Sequence, residues 1–114
     1  MFGLFRKAEV DEKSVDAFAN WFLEHGDSII SSVENRTIDR QTMLSYLDEV
    51  EKQLALVYRD GYKGRIEFDY GGKDNAWELN LYHKNKPFLI KATEMIAKRI
   101  NGRNDPKWRV NIGR

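Results

Sequence analysis

Glu67 and Asp69 alternate with Ile66, Phe68 and Tyr70, and Glu78, Asn80 and Tyr82 alternate with Trp77, Leu79 and Leu81. On extended backbone a period of two sends each polar set to one face. Three carboxylates gathered in this way can raise the pKa of one of them for general acid–base work, or hold a cation. Arg109 and Asn111 alternate with Trp108, Val110 and Ile112 and join the same face. The candidate binding set is therefore Glu67, Asp69, Glu78, Asn80, Tyr82 and Arg109. The plainer expectation is a wet sheet on which the carboxylates pair across strands with Arg65 and Arg109.

Other chemistries find less support. His25 and His83 are the two histidines, and neither has a second ligand type one helical turn away, since Ile29 follows the first and Lys86 and Pro87 the second. No metal site is expected. The chain has no cysteine, which removes disulfides, thiolate ligands and a thiol nucleophile. Its serines lie in no nucleophile elbow, and Gly71-Gly72 lacks the lysine–serine pair and the following helix of a phosphate loop. No catalytic residue and no cofactor are nominated. The basic set Lys84, Lys86, Lys91, Lys98, Arg99 and Arg103 spreads over a turn, a helix and a loop without interleaved aromatics. Recognition of nucleic acid through a sheet needs aromatic platforms and positive charge, whereas this face offers Tyr82 among carboxylates. Trp21, Trp77 and Trp108 read as core, with Trp77 and Trp108 as neighbours.

These residues need elements to hold them. The alternation predicts two strands over 65–70 and 76–82, with Gly71-Gly72-Lys73-Asp74-Asn75 as the hairpin loop. Before them, Ser14 is expected to cap a first helix on which Val15, Phe18, Phe22, Ile29 and Val33 recur at helical spacing, with a soft point at His25-Gly26-Asp27. Thr37 or Asp39 caps a second helix carrying Met43, Leu47, Val50, Leu54 and Val57, and Gly61 and Gly64 bracket its exit. Pro87 suits the first position of a third helix with Phe88, Leu89, Ala92, Met95, Ile96 and Ile100 on its apolar face. A last strand begins at Trp108. The expected fold is α+β: a two-layer sandwich in the order α-α-β-β-α-β, with a three-stranded mixed sheet and the helices on one face. The last strand lies parallel to the second, beside either the first or the second.

Length and composition bound the rest. The 114 residues suit a single domain over 14–114 with a tail over 1–13, in which Phe2, Leu4 and Phe5 pack on their own domain. With 41% apolar and 32% charged residues the chain has an ordinary globular composition. No apolar run reaches a membrane span, and the order of charge and apolar residues at the start is wrong for a secretory signal, so a cytoplasmic protein is expected. The net charge of +1 hides a division, with net −6 over residues 11–60 and net +7 over 84–114. Halves so charged are expected to neutralise each other within the fold.

Trp21-Phe22 in the first helix, the acidic second helix, the strand Trp77-Glu78-Leu79-Asn80-Leu81, the helix over 87–100 and the late Trp108 together resemble a widespread group of small bacterial proteins of unassigned function. In that group two N-terminal helices precede a similar strand, a helix and a last strand led by Gly-Trp, where this chain has Lys107 before Trp108. The resemblance implies the fold and carries no catalytic residues. From the residues themselves, the leading expectation is a non-enzymatic protein that binds another protein, of which a toxin-immunity role is one concrete version. The alternatives are a small-ligand binder or carboxylate enzyme on the sheet face, and a weak nucleic-acid binder through the basic set. A homodimer is left open.

Overall fold

Asp11, rather than Ser14, opens the first helix. A computed structural model of the chain describes residues 10–57, 66–73, 76–102 and 108–114, apart from the side chains at 73, 76 and 88. Helix α1 spans Glu12–Glu34, and the Asp11 carboxylate accepts from the Lys13 backbone N–H at 3.2 Å and from the Ser14 hydroxyl at 3.0 Å. Ser14 supports the cap from within the first turn, so the helix starts earlier than its own preference as a cap suggests. The Asp11 N–H also donates to the Val57 carbonyl at 2.9 Å, joining the start of α1 to the end of the second helix.

Helix α1 runs unbroken through His25-Gly26-Asp27. Gly26 is buried, and a Cβ there would stand 3.0 Å from Cδ1 and Nε1 of Trp108. The Trp108 indole N–H donates to the Gly26 carbonyl at 3.2 Å. What reads as a soft point in the sequence is a notch that admits an indole. Asn35 ends the helix, with its backbone N–H and its side-chain amide both donating to the Ser31 carbonyl. Asp39 then caps α2, Arg40–Ala55, by accepting from the Thr42 N–H and hydroxyl. Val50 and Leu54 are the buried residues of α2, while Met43 and Leu47 are half-buried.

The strands are β1 Glu67–Lys73, β2 Ala76–Tyr82 and β3 Trp108–Ile112, in the order β1-β2-β3. β1 is antiparallel to β2, with Glu67 opposite Tyr82 and Lys73 opposite Ala76. β3 is parallel to β2, with Trp77 opposite Trp108 and Leu81 opposite Ile112, which decides where the last strand lies. Gly71 and Gly72 are paired strand residues rather than loop. Gly72 faces Trp77, and a Cβ on it would come within 2.6 Å of the indole. The missing side chain makes room for the ring, and the strand continues through it.

Between β2 and β3 comes α3, Pro87–Asn101, with proline in its first turn. The turn before it holds Lys84 and Asn85 at φ of 52° and 61°, and the Asn85 N–H donates to His83 Nδ1 at 2.9 Å. Leu89, Ala92, Ile96 and Ile100 of α3 are buried, as are Val15, Phe18, Phe22 and Ile29 of α1 and Leu79, Leu81 and Val110 of the sheet. Trp108, 2% exposed, packs edge-on to Phe22 at 4.9 Å and to Tyr70 at 5.9 Å, and lies 5.5 Å from Trp77. Trp21 stands apart from that cluster, stacked on His25 at 5.0 Å. Ile112 at the end of β3 is 41% exposed, short of the burial its alternation suggests.

The expected roles of Phe2, Leu4, Phe5, Gly61, Gly64, Arg65, Arg103 and Lys107 concern residues outside the described ones. Among the described residues no helix is long and apolar enough to cross a membrane.

Candidate functional site

Alternation brings Glu67 and Asp69 of β1, Glu78, Asn80 and Tyr82 of β2, and Arg109 and Asn111 of β3 to the face opposite the core. The register sets Asp69, Asn80 and Asn111 in one row across the three strands. Asn80 Nδ2 donates to Asp69 Oδ1 at 2.7 Å, and Asn111 Nδ2 donates to Asn80 Oδ1 at 3.1 Å and also to Glu78 Oε2. Tyr82 reaches along the face and donates its hydroxyl to Asp69 Oδ2 at 2.8 Å. That hydrogen bond, with smaller contributions from burial and the Asp69 charge, raises the Tyr82 pKa above its usual value. Beside it, a Cβ on Gly113 would meet the Tyr82 ring at 2.5 Å, and the Gly113 N–H donates to the Leu81 carbonyl at 2.7 Å. Glycine after β3 lets the ring lie flat against the backbone.

The carboxylates are not paired with Arg109, as one half of the expectation has it, and Arg65, the other half, lies outside the described residues. Glu67 pairs with Lys84 at 3.2 Å, Asp69 takes two uncharged donors, and Glu78 takes Asn111. The reason is the register, which puts carboxamides rather than guanidinium groups beside Asp69. Arg109 is exposed and, among the described residues, has no partner, although it stands opposite Glu78. Both oxygens of Asp69 are thus engaged as acceptors.

The basic set is divided. Lys84 turns to Glu67 on the sheet face, and Arg99 pairs with Asp16 and, at 3.8 Å, with Glu12 of α1. Lys91 and Lys98 are exposed on α3 and line, with Arg99, Glu12 and Glu94, an open cleft of about 800 Å³ whose charges are mixed. Lys86 is the N-cap residue of α3. Among the described residues no three His, Asp or Glu side chains gather to hold a metal ion.

One cluster escaped the reading of the sequence. Trp21, His25 and Tyr46 meet between α1 and α2, with Tyr46 6.4 Å from each of the other two rings, and line a cleft of about 350 Å³ with Thr42, Ser45 and Glu49. His25 Nδ1 lies 2.9 Å from the Trp21 carbonyl, which calls for a proton on Nδ1. The signal was present as the Trp21–His25 spacing of one helical turn, which brings two rings together. Compared with known proteins, the chain matches no family model, no curated protein and no solved structure.

Proposed function

We propose that the chain is a non-catalytic cytoplasmic interaction domain whose partner is another protein, docked on the polar face of the sheet. The observation that carries this reading is the row Asp69, Asn80 and Asn111, braced at its ends by Tyr82 and Glu78. Side chains linked to one another lose little further freedom when a partner arrives, so a pre-ordered polar face binds at lower entropic cost than a free one. Arg109, exposed beside that row and without a partner among the described residues, adds a charge open to a partner carboxylate. Glu67 and Glu78 supply the opposite sign along the same surface. An immunity role, in which an acidic face covers a basic toxin, is the concrete version we favour.

The same features weigh against the alternatives. A carboxylate enzyme needs an acid or base free to move a proton, whereas both oxygens of Asp69 accept fixed hydrogen bonds. Nucleic acid would meet three carboxylates on this face and a mixed-charge cleft on α3.

The test is capture of a partner from the source cell by the immobilised chain and by the variant Asp69→Lys, Glu78→Lys, Arg109→Glu. Circular dichroism and melting temperature report whether the variant keeps the fold. A partner held by the parent and lost by the folded variant supports the proposal. Equal capture by both, or a turnover abolished by Glu67→Gln or Glu78→Gln, overturns it.

A further inference from the structure

We propose that the cleft between α1 and α2 at Trp21, His25 and Tyr46 binds a small organic ammonium ion, an alkylamine carrying its proton. The three rings form a triangle, with centroids 5.0 Å apart for Trp21 and His25 and 6.4 Å apart for each of the other two pairs. A cation is attracted by aromatic rings within about 6 Å of their centroids, so one ion can meet more than one ring of this triangle. The cleft holds about 350 Å³, the scale of a small-molecule site, and every residue that lines it belongs to α1 or α2.

The polar groups around the rings select the sign of the ligand. Thr42 and Ser45 spend their hydroxyl protons inside α2, Thr42 on the Asp39 carboxylate and Ser45 on the Gln41 carbonyl at 3.0 Å, so each has lone pairs left to offer. His25 spends its Nδ1 proton on the Trp21 carbonyl, which leaves Nε2 of the neutral ring as an acceptor. Glu49 is half-buried, and Gln53 Nε2 donates to its Oε2 at 3.0 Å, which fixes a carboxylate on the same wall. The Trp21 indole N–H and the Tyr46 hydroxyl are the donors that remain for an anion. Among the described residues no lysine or arginine lines this cleft, nor the adjoining one of about 320 Å³, which shares Thr42 and Tyr46 and adds Asp27 and Asp39. By contrast, Lys91, Lys98 and Arg99 line the cleft on α3, and Arg36 lines another beside Gly72. An ammonium ion brings what these acceptors lack, N–H donors and positive charge, and its alkyl chain lies on the rings.

The purified chain and n-butylammonium test this by NMR titration, with 1-butanol as the uncharged analogue of the same length and butyrate as the anion. Butylammonium is expected to shift the Trp21 indole signal and the Tyr46 and Glu49 amide signals saturably, and the other two to leave them in place. Tyr46→Leu removes a ring and is expected to weaken binding about three- to thirtyfold, the worth of one cation–π contact. Glu49→Gln keeps the size of the side chain, removes its charge and is expected to weaken binding by a similar factor, whereas Tyr46→Phe keeps the ring and is expected to bind as the parent does. Melting temperature reports whether Tyr46→Leu keeps the fold, and Glu49→Gln carries the test if it does not. No saturable shift with butylammonium overturns the proposal, as do equal binding of 1-butanol, shifts confined to other parts of the chain, or a folded Glu49→Gln that binds like the parent. None of these residues belongs to the sheet, so the outcome is independent of whether a partner protein docks there.

Discussion

From its place on β3, Trp108 reaches α1, β1 and β2. It touches Phe22, Tyr70 and Trp77, hydrogen-bonds to Gly26, and depends on that residue having no side chain. In a solvated helix Gly→Ala gains about 1 kcal/mol. At Gly26 the added methyl meets a buried indole with little room to retreat, and overpacking of this kind costs about 1–3 kcal/mol. Gly26→Ala is therefore expected to lower stability in urea, and to do so much less when Trp108 is already Phe; a double-mutant cycle reads the coupling. Tyr70 presents the opposite case. Its hydroxyl is buried and, among the described residues, without a hydrogen-bond partner, and burial raises its pKa. A stranded hydroxyl costs about 1–3 kcal/mol of lost hydration. Tyr70→Phe removes that cost with the ring kept, so a higher urea midpoint is expected, corresponding to about 1–3 kcal/mol of added stability. A lower one would mean that the hydroxyl has a partner after all.

At the scale of elements, period and capping residues made most of the architecture legible, and glycine was misread twice. The three strands follow from alternation, which is a property of the backbone and needs no knowledge of partners. Asp39 was recognisable as a cap because its side chain acts within its own turn. Gly26 and Gly71-Gly72 were read by local preference alone, as a soft point and a loop, whereas packing against Trp108 and Trp77 decided two of these positions. Two substitutions separate packing from preference within one strand. Gly72→Ala drives a methyl into the Trp77 ring and is expected to cost about 1–3 kcal/mol. Gly71→Ala has nothing within 4 Å of the new methyl, so a neutral or slightly stabilising change is expected in the same denaturation assay. The α2 cap carries a pH dependence. Hydrogen bonds from the Thr42 hydroxyl first and its backbone N–H second hold the Asp39 pKa below the usual 3.8. A carboxylate whose pKa is depressed by folding stabilises the fold above its unfolded value, and that contribution is lost as pH falls through the folded one. The Thr42 amide shift is accordingly expected to move only below about pH 4, and the acid transition to vanish in Asp39→Asn, which keeps a capping oxygen without a titrating proton.

At the scale of the molecule, the division of charge between the halves of the chain becomes contacts between α3 and α1. Arg99 from the basic half reaches Asp16 and Glu12 in the acidic half, whereas Lys84 reaches Glu67, which belongs to neither range. The Arg99 contact follows the direction of the charge counts. The pairing of particular residues was not legible in them, since it depends on strand order and register: the β1–β2 register brought Asn80 to Asp69, and Asn111 became the partner of Glu78 only once β3 lay beside β2. The Asn101 contact is of the same kind, joining the end of α3 to the outer edge of β3 through two hydrogen bonds that sequence spacing does not announce. Removing it tests whether the edge is closed by design of the fold or merely covered. Asn101→Ala leaves the N–H and C=O of Val110, a residue 3% exposed, without these partners. The expected loss is about 1–3 kcal/mol, accompanied by faster exchange of the Val110 amide and by a new tendency to associate through an opened strand edge. Asn101→Asp keeps the acceptor for the Val110 N–H and loses the donor to its carbonyl, so its amide should stay protected while stability falls part of the way. Unchanged protection in Asn101→Ala would show that something other than this carboxamide closes the edge.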